Sequence, residues 1–163
     1  MNIFKPTYER ESIHHIEEDF FIKEGIKFVF LDIDNTLVAD NEPFPDDGAR
    51  QFIKRLREEK IDICLISNNK KERVDSFNRE FNLRAVHRAG KPMCRKINKM
   101  IREIGADKKE VLFIGDQLLT DIPAGNRSKI RTMLVTPINI SKENNFFKLK
   151  RFIEKRVLER NFR

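Results

Sequence analysis

Five short apolar stretches, Lys27 to Asp32, Ile61 to Ser67, Arg84 to His87, Glu110 to Gly115 and Arg131 to Thr136, alternate with segments of helical spacing. A chain that alternates in this way is expected to form an α/β fold, a central parallel sheet of about five strands with helices on both faces. Between the first two strands Pro43 and Pro45 mark a loop. Asp46 can then cap a helix that runs to about Glu59, with Phe52, Ile53 and Leu56 at helical spacing. A second helix should hold Val74, Phe77 and Phe81. A third should begin after Pro92, whose fixed φ suits a first helical turn, and carry Ile97, Ile101 and Ile104 until Gly105 ends it. At 163 residues the chain is about one domain's worth, so 1–163 is expected to form a single unit with its core over about 25–138. Residues 1–24, with Ile13, Ile16, Phe20 and Phe21, read as an appendage: a short amphipathic piece packed against the sheet.

The first apolar run, Phe28 to Leu31, ends abruptly in Asp32 and Asp34, two carboxylates one residue apart. Neighbouring like charges raise each other's pKa and resist burial together, so such a strand end calls for a bound metal ion, a lysine partner, or both. Two solvated aspartates in a surface turn are the plain alternative for the pair taken alone. Three more clusters follow. After the second strand comes Ser67-Asn68-Asn69, where a hydroxyl and the backbone donors of a strand-to-helix turn can hold a phosphoryl oxygen, or simply cap a helix. Lys91-Pro92 follows the short third strand, and its ammonium can reach the Asp pair and offset the charge of a transferring group. The fourth strand again ends in a carboxylate, Asp116 after Gly115, with Asp121 five residues later. All four clusters fall at or just beyond the carboxyl ends of strands, the edge where open α/β sheets build their sites.

In order, Asp32-x-Asp34-x-Thr36, Ser67, Lys91 and Gly115-Asp116 with Asp121 resemble the motifs of the haloacid dehalogenase (HAD) superfamily. The finer pattern, Asp34-Asn35-Thr36-Leu37-Val38, Ser67-Asn68-Asn69, Arg73-Val74, Lys91-Pro92, Gly115-Asp116-Gln117-Leu118, Thr120-Asp121 and Gly125-Asn126-Arg127, is similar to the bacterial YqeG phosphatases of class IIIA, relatives of the mitochondrial phosphatidylglycerophosphate phosphatases. Lys129 departs from that pattern, because a glycine is expected after the Asn-Arg pair; the change affects a turn and leaves the chemistry alone. The resemblance implies a Rossmann-like fold without a cap domain. It also implies an Mg2+-dependent phosphomonoester phosphatase with Asp32 as nucleophile and Asp34 as general acid and base. Asp32, Asp116 and the Asp34 carbonyl would hold Mg2+, with Asp121 behind them or bound through water. Lys91, Ser67 and Asn68 would bind the phosphoryl oxygens, and Thr36 would fix the nucleophile loop.

Substrate class is narrowed by what is missing. Little chain lies between Thr36 and Ile61 or between Ser67 and Lys91, so no cap domain can close over the site, and a bulky substrate that covers the entrance itself is expected. A lipid head group such as that of phosphatidylglycerophosphate, or a macromolecular phosphate, qualifies. The alternatives are a phosphatase of soluble nucleotides or sugars, and a non-catalytic RNA- or protein-binding module. Lys plus Arg exceed Asp plus Glu by seven, which favours anionic partners, but net charge is all that speaks for nucleic acid. Cys64 and Cys94 lack any metal-type spacing, so no zinc is expected and both thiols read as reduced and structural. No secretory leader or spanning segment is read, which makes the expected location cytoplasmic, with peripheral contact to an anionic membrane as an added expectation. From about 144 to 163 a basic amphipathic helix is expected, with Phe146, Leu149, Ile153 and Val157 on one stripe, either packed on the core or lying on lipid.

Overall fold

The computed structural model describes residues 2–139. The C-terminal helix expected over about 144–163 lies outside the described residues. Six strands form one wholly parallel sheet: β1 (Tyr8–Arg10), β2 (Phe28–Leu31), β3 (Asp62–Ile66), β4 (Arg84–Val86), β5 (Val111–Gly115) and β6 (Arg131–Val135). They are arranged in the order β1-β6-β5-β2-β3-β4. The helices are α1 (Phe20–Lys23), α2 (Asp47–Glu58), α3 (Lys71–Asn78), α4 (Arg95–Glu103) and α5 (Asp121–Ser128). No inserted cap domain is present among the described residues.

Strand alternation sorts the core onto the two faces. Val29, Leu31, Ile63, Leu65, Leu112 and Ile114 pack on one side against Phe52 and Ile53 of α2 and Val74 and Phe77 of α3. Phe30, Cys64, Ile66 and Phe113 point the other way, onto Ile97 and Ile101 of α4 and Ala124 of α5. Strands buried on both faces read as unbroken apolar runs, which is why these were visible in the sequence. Burial pushes the Cys64 thiol up to about 12, so it serves as a small core residue and not as a nucleophile.

Three expectations need correction. The sheet has six strands, because Tyr8–Arg10 pairs with β6 in the register Tyr8 with Met133 and Arg10 with Val135. The N-terminal segment is therefore not an appendage: Ile13, Ile16, Phe20 and Phe21 belong to the main core. Pro92 does not open a helix; it sits in a turn, joined to Lys91 by a cis peptide bond, and α4 starts at Arg95. Finally, α3 ends at Asn78, and Phe81 is buried beyond it with its ring 5.6 Å from that of Phe77. The Asp46 cap is as expected, with its Oδ1 accepting the Ala49 N–H at 2.7 Å.

Lys129 closes α5 in the left-handed region, at φ +59°. A Cβ there crowds the following carbonyl, and this is the position where glycine is favoured. Lys129→Gly is expected to raise stability by about 0.5–1 kcal/mol, read as a melting temperature about 1–4 °C higher. An unchanged or lower value would mean that the turn carries no strain.

Candidate active site

Winding reverses between β2 and β5: the chain proceeds from β2 outward through β3 and β4, then returns to β5 and moves the other way. That leaves a crevice at the carboxyl ends of two adjacent strands. Asp32 follows β2, with its N–H still donating to the Ile114 carbonyl at 3.0 Å, so the sheet holds its backbone. The chain then folds on itself as the Ile33 carbonyl accepts the N–H groups of Thr36, Leu37 and Val38. Asn35 makes this possible at φ +62°, a conformation asparagine tolerates better than most residues. On the far side of the crevice Asp116 follows β5 and Asp121 opens α5.

Lys91 is brought in by the β4–α4 connection. Its backbone N–H donates to Asn68 Oδ1 at 2.8 Å, and Asn68 Nδ2 donates back to the Lys91 carbonyl at 3.0 Å. The Asn68 amide is thus committed to placing Lys91. The ammonium, 2% exposed, donates to Asp32 Oδ1 at 2.7 Å and to the Ile66 carbonyl at 3.0 Å. It also pairs with Asp121 Oδ1 at 2.7 Å, an oxygen that is buried and has no further partner. Thr36 Oγ1 donates to Asp116 Oδ1 at 3.2 Å. Ser67 Oγ accepts the Asn69 N–H at 3.0 Å, a turn-capping role that leaves its own hydrogen to donate.

Carboxylate oxygens of Asp32, Asp116 and Asp121 lie within 4.8 Å of one another, all three side chains buried. One ammonium faces three carboxylates, and the electrostatics reflect that deficit. Burial pushes Asp32 up to about 7, although Lys91 acts in the opposite direction. Asp116 is pushed up to about 8 by burial, reinforced by the charges of Asp121 and Asp32. For Lys91, burial works against the ammonium, but Asp121 and Asp32 outweigh it and hold it above the ordinary lysine value. A hard divalent cation suits this donor set: oxygen only and negatively charged in excess, three carboxylates to one ammonium.

Gly115 is what lets Asp121 come so close. A Cβ at that position would collide with the Asp121 carboxylate, whose Oδ2 accepts the Gln117 N–H at 3.0 Å. Gly115→Ala is therefore expected to displace Asp121 and destabilise the protein by about 1–3 kcal/mol. Activity should fall about 10–100-fold through the disturbed carboxylate cluster. A variant with normal turnover would show that the position of Asp121 is unimportant.

Asp32, Asp34, Ser67, Asn68 and Lys91 line one open cavity of about 420 Å³, together with Asn35, Asp40, Asn69 and Gln117. Thr36, Asp116 and Asp121 are buried next to its floor. The Asp34 side chain is held by α3 and the turn that precedes it. Arg73 donates to Asp34 Oδ1 through Nε at 3.1 Å and Nη2 at 2.9 Å, and Asn69 Nδ2 donates to Oδ2 at 3.2 Å. Neither Arg73 nor Asn69 was assigned a role from sequence. The signal was present: a cation in the first turn of a helix opposes the helix dipole and calls for an anionic partner.

A parallel sheet with a lysine-bridged carboxylate cluster at its switch point defines a class of α/β phosphoryl-handling hydrolases. The family model of haloacid dehalogenase-like hydrolases matches residues 6–129. The chain belongs to that family, as a hydrolase of the phosphatase type in the YqeG branch. Over 155 residues it is 31% identical to the Bacillus subtilis (strain 168) protein named "Probable phosphatase YqeG", covering 95% of this chain and 90% of that one. It is 26% identical to phosphatidylglycerophosphate phosphatase 1, chloroplastic/mitochondrial, of Arabidopsis thaliana over 95% of this chain; the match spans about half, 47%, of that longer protein. Among solved structures, the cobalt-bound deoxy-D-mannose-octulosonate 8-phosphate phosphatase of Haemophilus influenzae shares the fold. Its TM-score is 0.51 at 18% identity, over 70% of this chain and 80% of that one.

Proposed function

We propose that this protein is a magnesium-dependent phosphomonoester phosphatase that works through an aspartyl phosphate on Asp32, with the phosphorylated head group of phosphatidylglycerophosphate as its substrate. The observation that carries the mechanism is the buried Lys91 ammonium, 2.7 Å from both Asp32 and Asp121, beside the third carboxylate of Asp116. Lys91 holds Asp32 Oδ1, leaving Oδ2 as the attacking atom. Asp32 bonds to phosphorus as the bond to the leaving oxygen breaks, and Asp34 delivers its proton to that oxygen. Water then attacks the aspartyl phosphate, Asp34 takes its proton back, and phosphate departs from a regenerated Asp32. Arg73 and Asn69 hold the Asp34 carboxyl, so these two residues would position it for that proton transfer.

Asp32, Asp116 and the Asp34 carbonyl would hold Mg2+, with Asp121 joining directly or through water. Bound there, the cation would neutralise charge on the phosphoryl group and offset the burial that pushes Asp32 and Asp116 upward. Lys91 and the Ser67 hydroxyl would bind phosphoryl oxygens. Asn68 acts through the placement of Lys91, because its side-chain amide is committed to that backbone.

The substrate assignment is supported by the uncapped site and by the plant relative, whose name gives phosphatidylglycerophosphate. Phosphate release should be measured with and without Mg2+ on that lipid and on soluble nucleotide, sugar and aryl phosphates. The expected result is Mg2+-dependent release with kcat/KM for the lipid at least about 100-fold above any soluble ester. Equal or better turnover of a nucleotide or sugar phosphate would replace the lipid assignment while leaving the mechanism standing.

A further inference from the structure

Exposed large hydrophobic side chains are not scattered over this molecule. Among the described residues they are Ile22, Phe44, Met93, Leu119 and Ile138, and the last four belong to the connections that leave the carboxyl edge of the sheet. Phe44 lies between β2 and α2, Met93 between β4 and α4, Leu119 between Asp116 and Asp121, and Ile138 follows β6. The Ile138 N–H donates to the carbonyl of Asn35, inside the nucleophile loop. These residues therefore share the edge of the sheet at which the catalytic cavity opens, outside its own lining. At the opposite edge the connections carry charge instead, as in Glu58-Glu59-Lys60 and Asp107-Lys108-Lys109.

Two of the four are held outward by hydrogen-bonded turns. Phe44 follows Pro43, whose carbonyl accepts Arg73 Nη1 at 3.0 Å, and Met93 follows Pro92, whose carbonyl accepts Arg127 Nη1 at 2.8 Å. Apolar side chains presented on pinned backbone lose little further freedom when they enter another phase. The same edge carries cations with no carboxylate partner among the described residues: exposed Lys70, Arg88 and Arg95. The β2–α2 connection brings Asp40 and Glu42, so attraction to anionic head groups comes from the β3–α3 and β4–α4 side.

We propose that this rim is a docking surface for an anionic phospholipid bilayer: Phe44, Met93, Leu119 and Ile138 enter the interface, and Lys70, Arg88 and Arg95 meet the head groups. The bilayer itself then covers the uncapped cavity. Apolar insertion flanked by basic side chains is the physical signature of interfacial binding, and four of the five exposed large hydrophobics gathered at one edge mark a contact surface. The inference rests on the lipid reading above and adds to it the part of the molecule that meets the membrane.

The test uses the full chain and vesicles of phosphatidylcholine with or without phosphatidylglycerol, read by flotation. Wild type should bind the anionic vesicles, and more weakly as salt rises. The combined variant Phe44→Ser, Met93→Ser, Leu119→Ser should lose at least about tenfold in vesicle partitioning. Ile22→Ser, which removes the exposed side chain outside the rim, should bind as wild type. Hydrolysis of soluble p-nitrophenyl phosphate by the triple variant reports that the site is intact. Absence of vesicle binding by wild type, or equal binding by the triple variant, overturns the proposal. So does a triple variant that only converts a dimer to a monomer in size-exclusion chromatography, since the rim would then join two copies of the chain. Rim-dependent binding to the anionic vesicles, with no phosphate release once phosphatidylglycerophosphate is added to them, would instead remove the substrate reading and leave the docking surface.

Discussion

Asp32→Asn is expected to lower phosphate release by on the order of 10⁴-fold or more, the scale seen when a covalent nucleophile is removed. The fold should survive. Asparagine has the size of the aspartate it replaces, and its amide oxygen can still accept from Lys91 Nζ, which lies 2.7 Å from Asp32 Oδ1. The substitution also removes one of three crowded buried carboxylates, so the metal-free variant should melt no lower than wild type. Acid-quenched wild-type protein, turned over and digested, should yield a phosphoryl adduct on the peptide containing Asp32. Asp34→Asn makes the contrasting case. It should cost about 10²–10⁴-fold with an alkyl phosphate, and less with a p-nitrophenyl ester, whose leaving group needs no proton. Near-normal hydrolysis by Asp32→Asn would mean that water attacks phosphorus directly and that the lysine-bridged pair only binds substrate.

How far the sequence could be read depended on where each residue's partner lies. The four central strands were legible because burial on both faces forces continuous apolar runs, and Asp46, Gly105 and the strand-end carboxylates follow local rules. Tyr8–Arg10 was not legible. Its side chains alternate between half-buried and exposed, and its identity as a strand comes from pairing with β6 more than 120 residues away. Pro92 misled because a proline in a turn and a proline opening a helix look alike in sequence. The motif residues could be singled out because they fall at the carboxyl ends of strands or in the connections that follow them. The hydrogen bonds among them could not: Arg73 meets Asp34 across 39 positions, and Asn68 grips the Lys91 backbone across 23. Roles that depend on such contacts become visible only when the sheet brings the connections together.

Mg2+ is expected to raise the melting temperature, and by more at pH 8.5 than at pH 6. Folding buries Asp32 and Asp116 and lifts them to about 7 and about 8, well above the ordinary carboxylate value of about 3.9 in the unfolded chain. The folded protein therefore holds these protons more tightly than the unfolded one. The stability this confers is complete below about pH 4 and is lost as pH rises through 7 and 8. In the metal-free protein the melting temperature should accordingly fall across that range as negative charge accumulates around Lys91. A divalent cation held by this cluster would occupy the same oxygens as the protons. At pH 6 it must displace them, whereas at pH 8.5 it meets carboxylates already ionised, so its apparent affinity rises with pH. At a concentration about 100 times its dissociation constant it adds about 2.7 kcal/mol, which for a chain of this size is about 5–10 °C. Asp116→Asn separates this account from general effects of pH. It removes one of the two lifted groups and a proposed cation ligand at once, so in EDTA the variant should melt higher than wild type at pH 8.5, and Mg2+ should move it little. A magnesium shift of the same size at both pH values, or one that survives Asp116→Asn, would mean that the cation binds somewhere other than this carboxylate cluster.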